Sequence, residues 1–311
     1  MSSSSARSSL SSLLAVVVAG VLWGTGGLSG ALLGRLAHLD PLAVATYRLA
    51  GGGLTLLVVL SGTGRLVGLA GTGLPGLRRV LAVGLLAALY QGCYFAAVGL
   101  TNVAVATPIA LGAAPVLVLG VEAWSGRRRP SGESLAAIGL AVLGLVLLVG
   151  LPGTGTGGVR LYAGVLLALV TAAGFAALTL LGRRPVAGLD ISSTVGLGFA
   201  VGAVPLAATS AFTGGLGFAP SAAALGVLGY LAVVPTALAY ALYFAGLRGV
   251  AASSASVVAL LEPVTAAVLA VTLLGEHLGP AEAVGAALLC LAALVANLGP
   301  ARLRPHGLDH R

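Results

Sequence analysis

Residues 80–121 read VLAVGLLAALYQGCYFAAVGLTNVAVATPIALGAAPVLVLGV, and no charged side chain interrupts them between Arg79 and Glu122. As one helix this stretch would be about 63 Å long at 1.5 Å per residue. That is roughly twice the ~30 Å hydrocarbon thickness of a bilayer, so it must break, and GLTN at 99–102 supplies the residues for a break. Three further intervals are free of charge: Arg7 to Arg35, Glu133 to Arg160, and Asp190 to Arg248. A spanning helix needs about 20 mostly apolar residues, so the shorter intervals hold one span and the longer ones two.

The whole composition agrees. Of 311 residues, 58% are hydrophobic and 8% are charged, against about 25% charged in a soluble domain. Too few charges remain to cover a water-facing surface, and the chain reads as an all-α integral membrane protein whose first partner is the lipid bilayer. The net charge of +8 comes from arginines that flank apolar runs without interleaved aromatics, which excludes nucleic acid as a partner. Cys93 and Cys290 lie inside apolar runs, where a thiol is ordinary filler, and their spacing fits neither a disulfide framework nor a metal site. No cofactor is expected. The apolar run from Leu13 to Leu33 exceeds the roughly 7–15 residues of a signal-peptide core, so it is read as a retained first span.

Gly, Pro, Ser and charged separators divide the chain into ten expected spans: 13–34, 41–60, 80–98, 104–123, 134–150, 161–181, 191–212, 222–246, 253–274 and 281–299. Arginine is enriched in cytoplasmic loops. With a cytoplasmic N-terminus, Arg7, Arg65, Arg78, Arg79, Arg127, Arg128, Arg129, Arg183, Arg184, Arg248, Arg302, Arg304 and Arg311 all fall inside, and only Arg35 and Arg160 fall outside. Arg48 lies within a span. Both termini, with tails 1–12 and 300–311, are therefore expected in the cytoplasm.

The two halves share landmarks at an offset near 150. Asp40 precedes the second span and Asp190 the seventh; YFAAVGL at 94–100 matches YFAGLRG at 243–249; Pro115 matches Pro263. A repeat of five spans, residues 13–150 and then 161–299, must enter the membrane from opposite sides. Inverted repeats of this kind recur in secondary transporters, with the substrate site near the midplane between them. GVLWG at 20–24 and GALLG at 30–34 have the Gly-xxx-Gly spacing that lets helix backbones approach.

Residues 260–297, LLEPVTAAVLAVTLLGEHLGPAEAVGAALLCLAALVAN, resemble the last two helices of an EamA-type transporter of the drug/metabolite transporter superfamily. LWGTGG at 22–27, YRLA at 47–50 and the doubled five-span pattern share the resemblance. It implies a secondary transporter moving small polar metabolites, such as amino acids and amines, across the cytoplasmic membrane, with export as the expected direction. An exchanger or uniporter of the same fold that does not use protons is the alternative, followed by a membrane scaffold without transport.

Two charges stand inside spans. Glu262 lies near mid-depth opposite apolar Ala114 in the other repeat, so symmetric packing does not explain it. A carboxyl there is costly unless paired, hydrated or protonated. It is a candidate for binding a proton or a substrate ammonium, against a purely structural carboxyl. Arg48, opposite Gly198, either snorkels to the outer interface, pairs with Glu262 or holds a substrate carboxylate. Trp23, Gln91, Tyr94 and Tyr240 either line a cavity or serve packing. Pro115 and Pro263 are read as structural kinks, since proline removes a helix hydrogen bond. Glu122, Glu276, His277 and Glu282 are read as interfacial or solvated. His38, His277, His306 and His310 all fall in loops or the tail, which argues against an intramembrane Ser–His enzyme, and no Walker-type sequence is present to drive transport with ATP.

Overall fold

The computed structural model describes residues 2–64, 66, 71–124, 132–149, 158–182, 186–217, 220–246, 261–262, 265–266, 268–269, 271–273, 275, 277 and 279–298. Among them the extended elements are all helices: α1 (Ser2–Ala37), α2 (Pro41–Gly62), α3 (Gly73–Leu100), α4 (Val103–Trp124), α5 (Gly132–Val149), α6 (Gly158–Gly182) and α7 (Ile191–Thr213). Then come α8 (Ala222–Ala232), a π-helical segment (Val233–Leu238), α9 (Ala239–Gly246) and α10 (Pro280–Leu298). Six stretches are long and apolar enough to cross a membrane: Leu14–Ala37, Pro41–Gly62, Gly73–Leu100, Gly158–Leu178, Ile191–Thr213 and Ala222–Tyr243. Most of the expected ninth span, Pro263 included, and the tail at 300–311 lie outside the described residues. The figure of ten spans therefore remains an expectation.

Local chemistry places the helix ends. Asp40 accepts the Leu42 N–H at 2.9 Å in front of Pro41, and Asp190 accepts the Ser192 N–H at 3.0 Å. Each aspartate thus satisfies a donor that a helix start leaves orphaned. The break in the long apolar stretch falls between Leu100 and Val103, where the Asn102 side chain accepts the Val105 N–H at 2.8 Å. Three boundaries differ from the sequence reading. Helix α1 begins at Ser2, so residues expected as a tail are helical. Helix α3 begins at Gly73 rather than 80, enclosing Arg78 and Arg79, and Arg79 Nη1 donates to the carbonyl of Leu181 near the end of α6. The expected 222–246 span is interrupted by the π segment around Pro235, a residue that cannot donate a helix hydrogen bond. Pro115 lies inside α4.

The halves interlock. Helix α1 packs on α8, the π segment and α9, while its counterpart α6 packs on α3 and α4. Each repeat therefore gives its first helix to the other. The counterparts α2 and α7 cross directly and antiparallel: Thr46 meets Ser210 at 3.3 Å, and Leu56 lies beside Gly196. Counterparts α5 and α10 pair likewise, with Gly144 against the carbonyl of Gly285. Small residues allow these approaches, as expected where lipid offers apolar groups no incentive to associate. Val58, Leu85, Leu166 and Val204 face outward on the bundle surface, the side that hydrocarbon would cover.

Candidate functional site

The middle of α1 forms one wall of the site because glycine leaves it flat. A methyl at Gly24 would lie 2.6 Å from Thr265 Cβ and 2.8 Å from the Glu262 carbonyl oxygen. One at Gly26 would lie 3.0 Å from Arg48 Nη2, and one at Gly27 would overlap the Tyr94 hydroxyl. Positions three apart share a helix face. Thus 23 and 26 present one strip of α1 to Tyr240 and Arg48, and 24 and 27 present the adjacent strip to the Glu262 segment and Tyr94.

Arg48, 6% exposed, is turned into the bundle. Its Nε donates to Thr236 Oγ1 at 3.3 Å and its Nη1 to Gln91 Oε1 at 3.2 Å. Gln91 Nε2 donates to the Tyr90 hydroxyl at 3.0 Å, and that hydroxyl meets the Tyr240 hydroxyl at 2.9 Å. One chain of hydrogen bonds therefore runs from α2 through α3 to α9, and a branch reaches the π segment. Thr236 in turn donates to the Leu231 carbonyl at 2.7 Å. The Tyr94 hydroxyl pairs with Thr107 Oγ1 at 2.8 Å, and Thr171 Oγ1 donates to the Tyr90 carbonyl at 3.2 Å. The Trp23 ring stands edge-on to Tyr240 at 5.0 Å and tilted on Tyr243 at 4.8 Å.

These groups enclose a cavity of about 40 Å³ lined by Trp23, Arg48, Gln91, Tyr94, Tyr240 and Glu262. All six residues singled out in the sequence thus line one space, from both repeats. A water needs roughly 10–15 Å³ of such volume, so this closed form holds a few waters. Arg48 and Glu262 share the cavity, but the described hydrogen bonds of Arg48 go to neutral oxygens. Trp23 is 9% exposed, and its Nε1 is a buried polar atom without a hydrogen-bond partner. Leaving a buried donor unpaired costs about 1–3 kcal/mol.

The sequence reading missed Tyr90, Thr107, Thr171, Phe175 and Thr236, of which the first four line the cavity and Thr236 anchors Arg48. For Tyr90 a signal existed, since Tyr240 lies 150 residues on, the same offset as Asp40 to Asp190. Counterparts can touch only near the axis relating the repeats, where these two hydroxyls meet. Gly198, the counterpart of Arg48, is packed on Val83, and Ala114, that of Glu262, is buried. The charges therefore break the pseudo-symmetry at its centre. His277 is exposed; Glu276 and the side chains of Glu122 and Glu282 lie outside the described residues.

Interlocked inverted repeats of apolar helices, closing on a charged central cavity, define a multi-pass membrane transport protein. The chain belongs to the EamA-like transporter family, which its residues 10–150 and 162–298 match in two successive copies. It is 32% identical over 273 residues to the uncharacterized transporter YwfM of Bacillus subtilis (strain 168), covering 88% of each chain. A solved crystal structure shares the fold at a TM-score of 0.65 and 22% identity, over 95% of this chain and 99% of that one.

Proposed function

We propose that the protein is a secondary transporter that exports small polar metabolites, amino acids and related amines, across the cytoplasmic membrane by alternating access. The observation that carries this reading is the pairing of one cation, Arg48, with one carboxyl, Glu262, on the wall of a single aromatic-lined cavity. A substrate bearing both a carboxylate and an ammonium complements such a site. Glu262 is the group that binds either the ammonium or a coupling proton, because a carboxyl at membrane depth must be compensated in one of these ways. The excess of arginine in alternate loops supports cytoplasmic termini.

The test is efflux from proteoliposomes loaded with a labelled panel of amino acids and amines, with and without an imposed proton gradient. Wild type is compared with Glu262→Gln. Gradient-driven efflux of one substrate class that collapses in the variant is the expected result. Unchanged efflux and gradient response in Glu262→Gln would leave that side chain a structural role only. Efflux indifferent to the gradient in wild type would favour the proton-independent exchanger or uniporter.

A further inference from the structure

The polar cavity is divided, and its two flanks carry different chemistry. On the strip of α1 formed by residues 23 and 26 stand the indole of Trp23 and the guanidinium of Arg48, which rests against Gly26. On the neighbouring strip, at residues 24 and 27, stand the segment carrying Glu262 and the phenol of Tyr94. The first flank is rich in donors. Arginine carries five N–H groups, and Nε and Nη1 are engaged by the oxygens of Thr236 and Gln91. Both partners are neutral, so the charge of Arg48 is oriented without being cancelled. Trp23 adds an N–H more than nine-tenths buried that has no partner within the protein.

An indole is held in place here by Tyr240 and Tyr243, so its position does not need the N–H; phenylalanine would serve the same stacking. A buried polar atom without a partner asks for a specific explanation. A ligand acceptor supplies one. The ligand must be anionic, since it also faces an uncancelled guanidinium, and it must be small, since the cavity is about 40 Å³. A planar carboxylate offers two oxygens, one for each donor, and guanidinium matches carboxylate geometry particularly well.

We infer that Trp23 Nε1 and Arg48 form a carboxylate subsite, which takes the acid end of the substrate while Glu262 faces the other end. This deepens the transport reading and rests on it for the identity of the molecule carrying the carboxylate. The subsite itself is a matter of equilibrium binding and can be tested without transport.

The chain has two tryptophans, so Trp124→Phe leaves Trp23 as the sole indole reporter. The purified variant in lipid nanodiscs is titrated with acetate, with chloride at matched ionic strength, and with methylammonium, while Trp23 emission is followed. A saturable shift with acetate alone is expected, with affinity at least tenfold weaker when Arg48→Gln is added. In the otherwise wild-type protein, thermal stabilisation by acetate is expected to need about tenfold more acetate in Trp23→Phe, a variant that keeps the ring stacking. An absent response to acetate, an equal response to chloride or methylammonium, or unchanged acetate affinity in Trp23→Phe would each overturn the assignment. Acetate binding that obeys these rules in a protein that moves no amino acid or amine would retain the subsite and refute the transported substrate. Transport of amino acids with no acetate response would do the reverse.

Discussion

The hydroxyls of Tyr90 and Tyr240, 150 residues apart in the chain, meet at 2.9 Å between the two repeats. Because Gln91 Nε2 already donates to the Tyr90 oxygen, the Tyr90 hydrogen is free to donate to Tyr240. The two phenols are therefore not energetically equivalent. Tyr240→Phe removes one bond, worth about 0.6 kcal/mol on average between membrane helices. Tyr90→Phe also strips Gln91 of its acceptor and should destabilise by about 1–2 kcal/mol. Unfolding of both single variants and the double variant in micelles would measure this order, with a coupling of about 0.5–1.5 kcal/mol expected between them.

Arg48 reaches Gln91 and Thr236 at once because its guanidinium is a planar fork. Lysine keeps the charge but concentrates it on a flexible stem. Arg48→Lys should therefore lose at least one charge-assisted hydrogen bond of about 1.5–3 kcal/mol. Transport efficiency is expected to fall roughly tenfold or more, and recovery of wild-type kinetics in Arg48→Lys would show that charge alone suffices.

The crossing of α2 and α7 depends on Gly53. A Cβ there would stand 2.7 Å from the Ala200 nitrogen and 3.0 Å from the Gly196 carbonyl oxygen, and both are backbone atoms with nowhere to go. Gly53→Ala should destabilise the protein by about 1–3 kcal/mol through overpacking. Gly34→Ala is the control: its nearest neighbour would be 3.6 Å away, so the better helix propensity of alanine, up to ~1 kcal/mol, should leave stability equal or raised.

The caps at the starts of α2 and α7 make a matched pair. Asp190→Ala should lower stability by about 0.5–2 kcal/mol, and Asp190→Asn by much less, since asparagine caps about as well. Thermal unfolding of the two variants separates the hydrogen bond from the charge. A loss in Asp190→Asn as large as in Asp190→Ala would assign the effect to charge.

How far the sequence could be read depended on what each residue needs. The division between α3 and α4 was legible because 42 apolar residues exceed any bilayer as one helix, and Asn102 was available to cap the second part. The helical start of α1 was not, since serine has modest helix propensity and the run from Ser2 shows no apolar period. The early start of α3 was hidden because Arg78 and Arg79 read as a loop boundary. In the cavity, Trp23, Arg48, Gln91, Tyr94, Tyr240 and Glu262 stood out because each is expensive to keep among apolar residues. Thr171 and Thr236 did not, because threonine can satisfy its hydroxyl on its own helix, at the carbonyls of Leu167 and Leu231. Their presence therefore signals nothing about a cavity until the fold is known.

The exchange of first helices between the halves also imposes an order on synthesis. Helix α1 leaves the ribosome first, yet Trp23 stacks on Tyr240 and Gly24 fits against Thr265. At roughly 5–20 residues per second, the intervening stretch of about 200 residues takes on the order of 10–40 s to make. Throughout that interval the glycine strip and the indole N–H of α1 lack their final neighbours and must be held by lipid, by the insertion machinery or by temporary contacts. A chain interrupted after α5 would leave α1 in that condition permanently, and a second fragment beginning at α6 would carry the complementary defect.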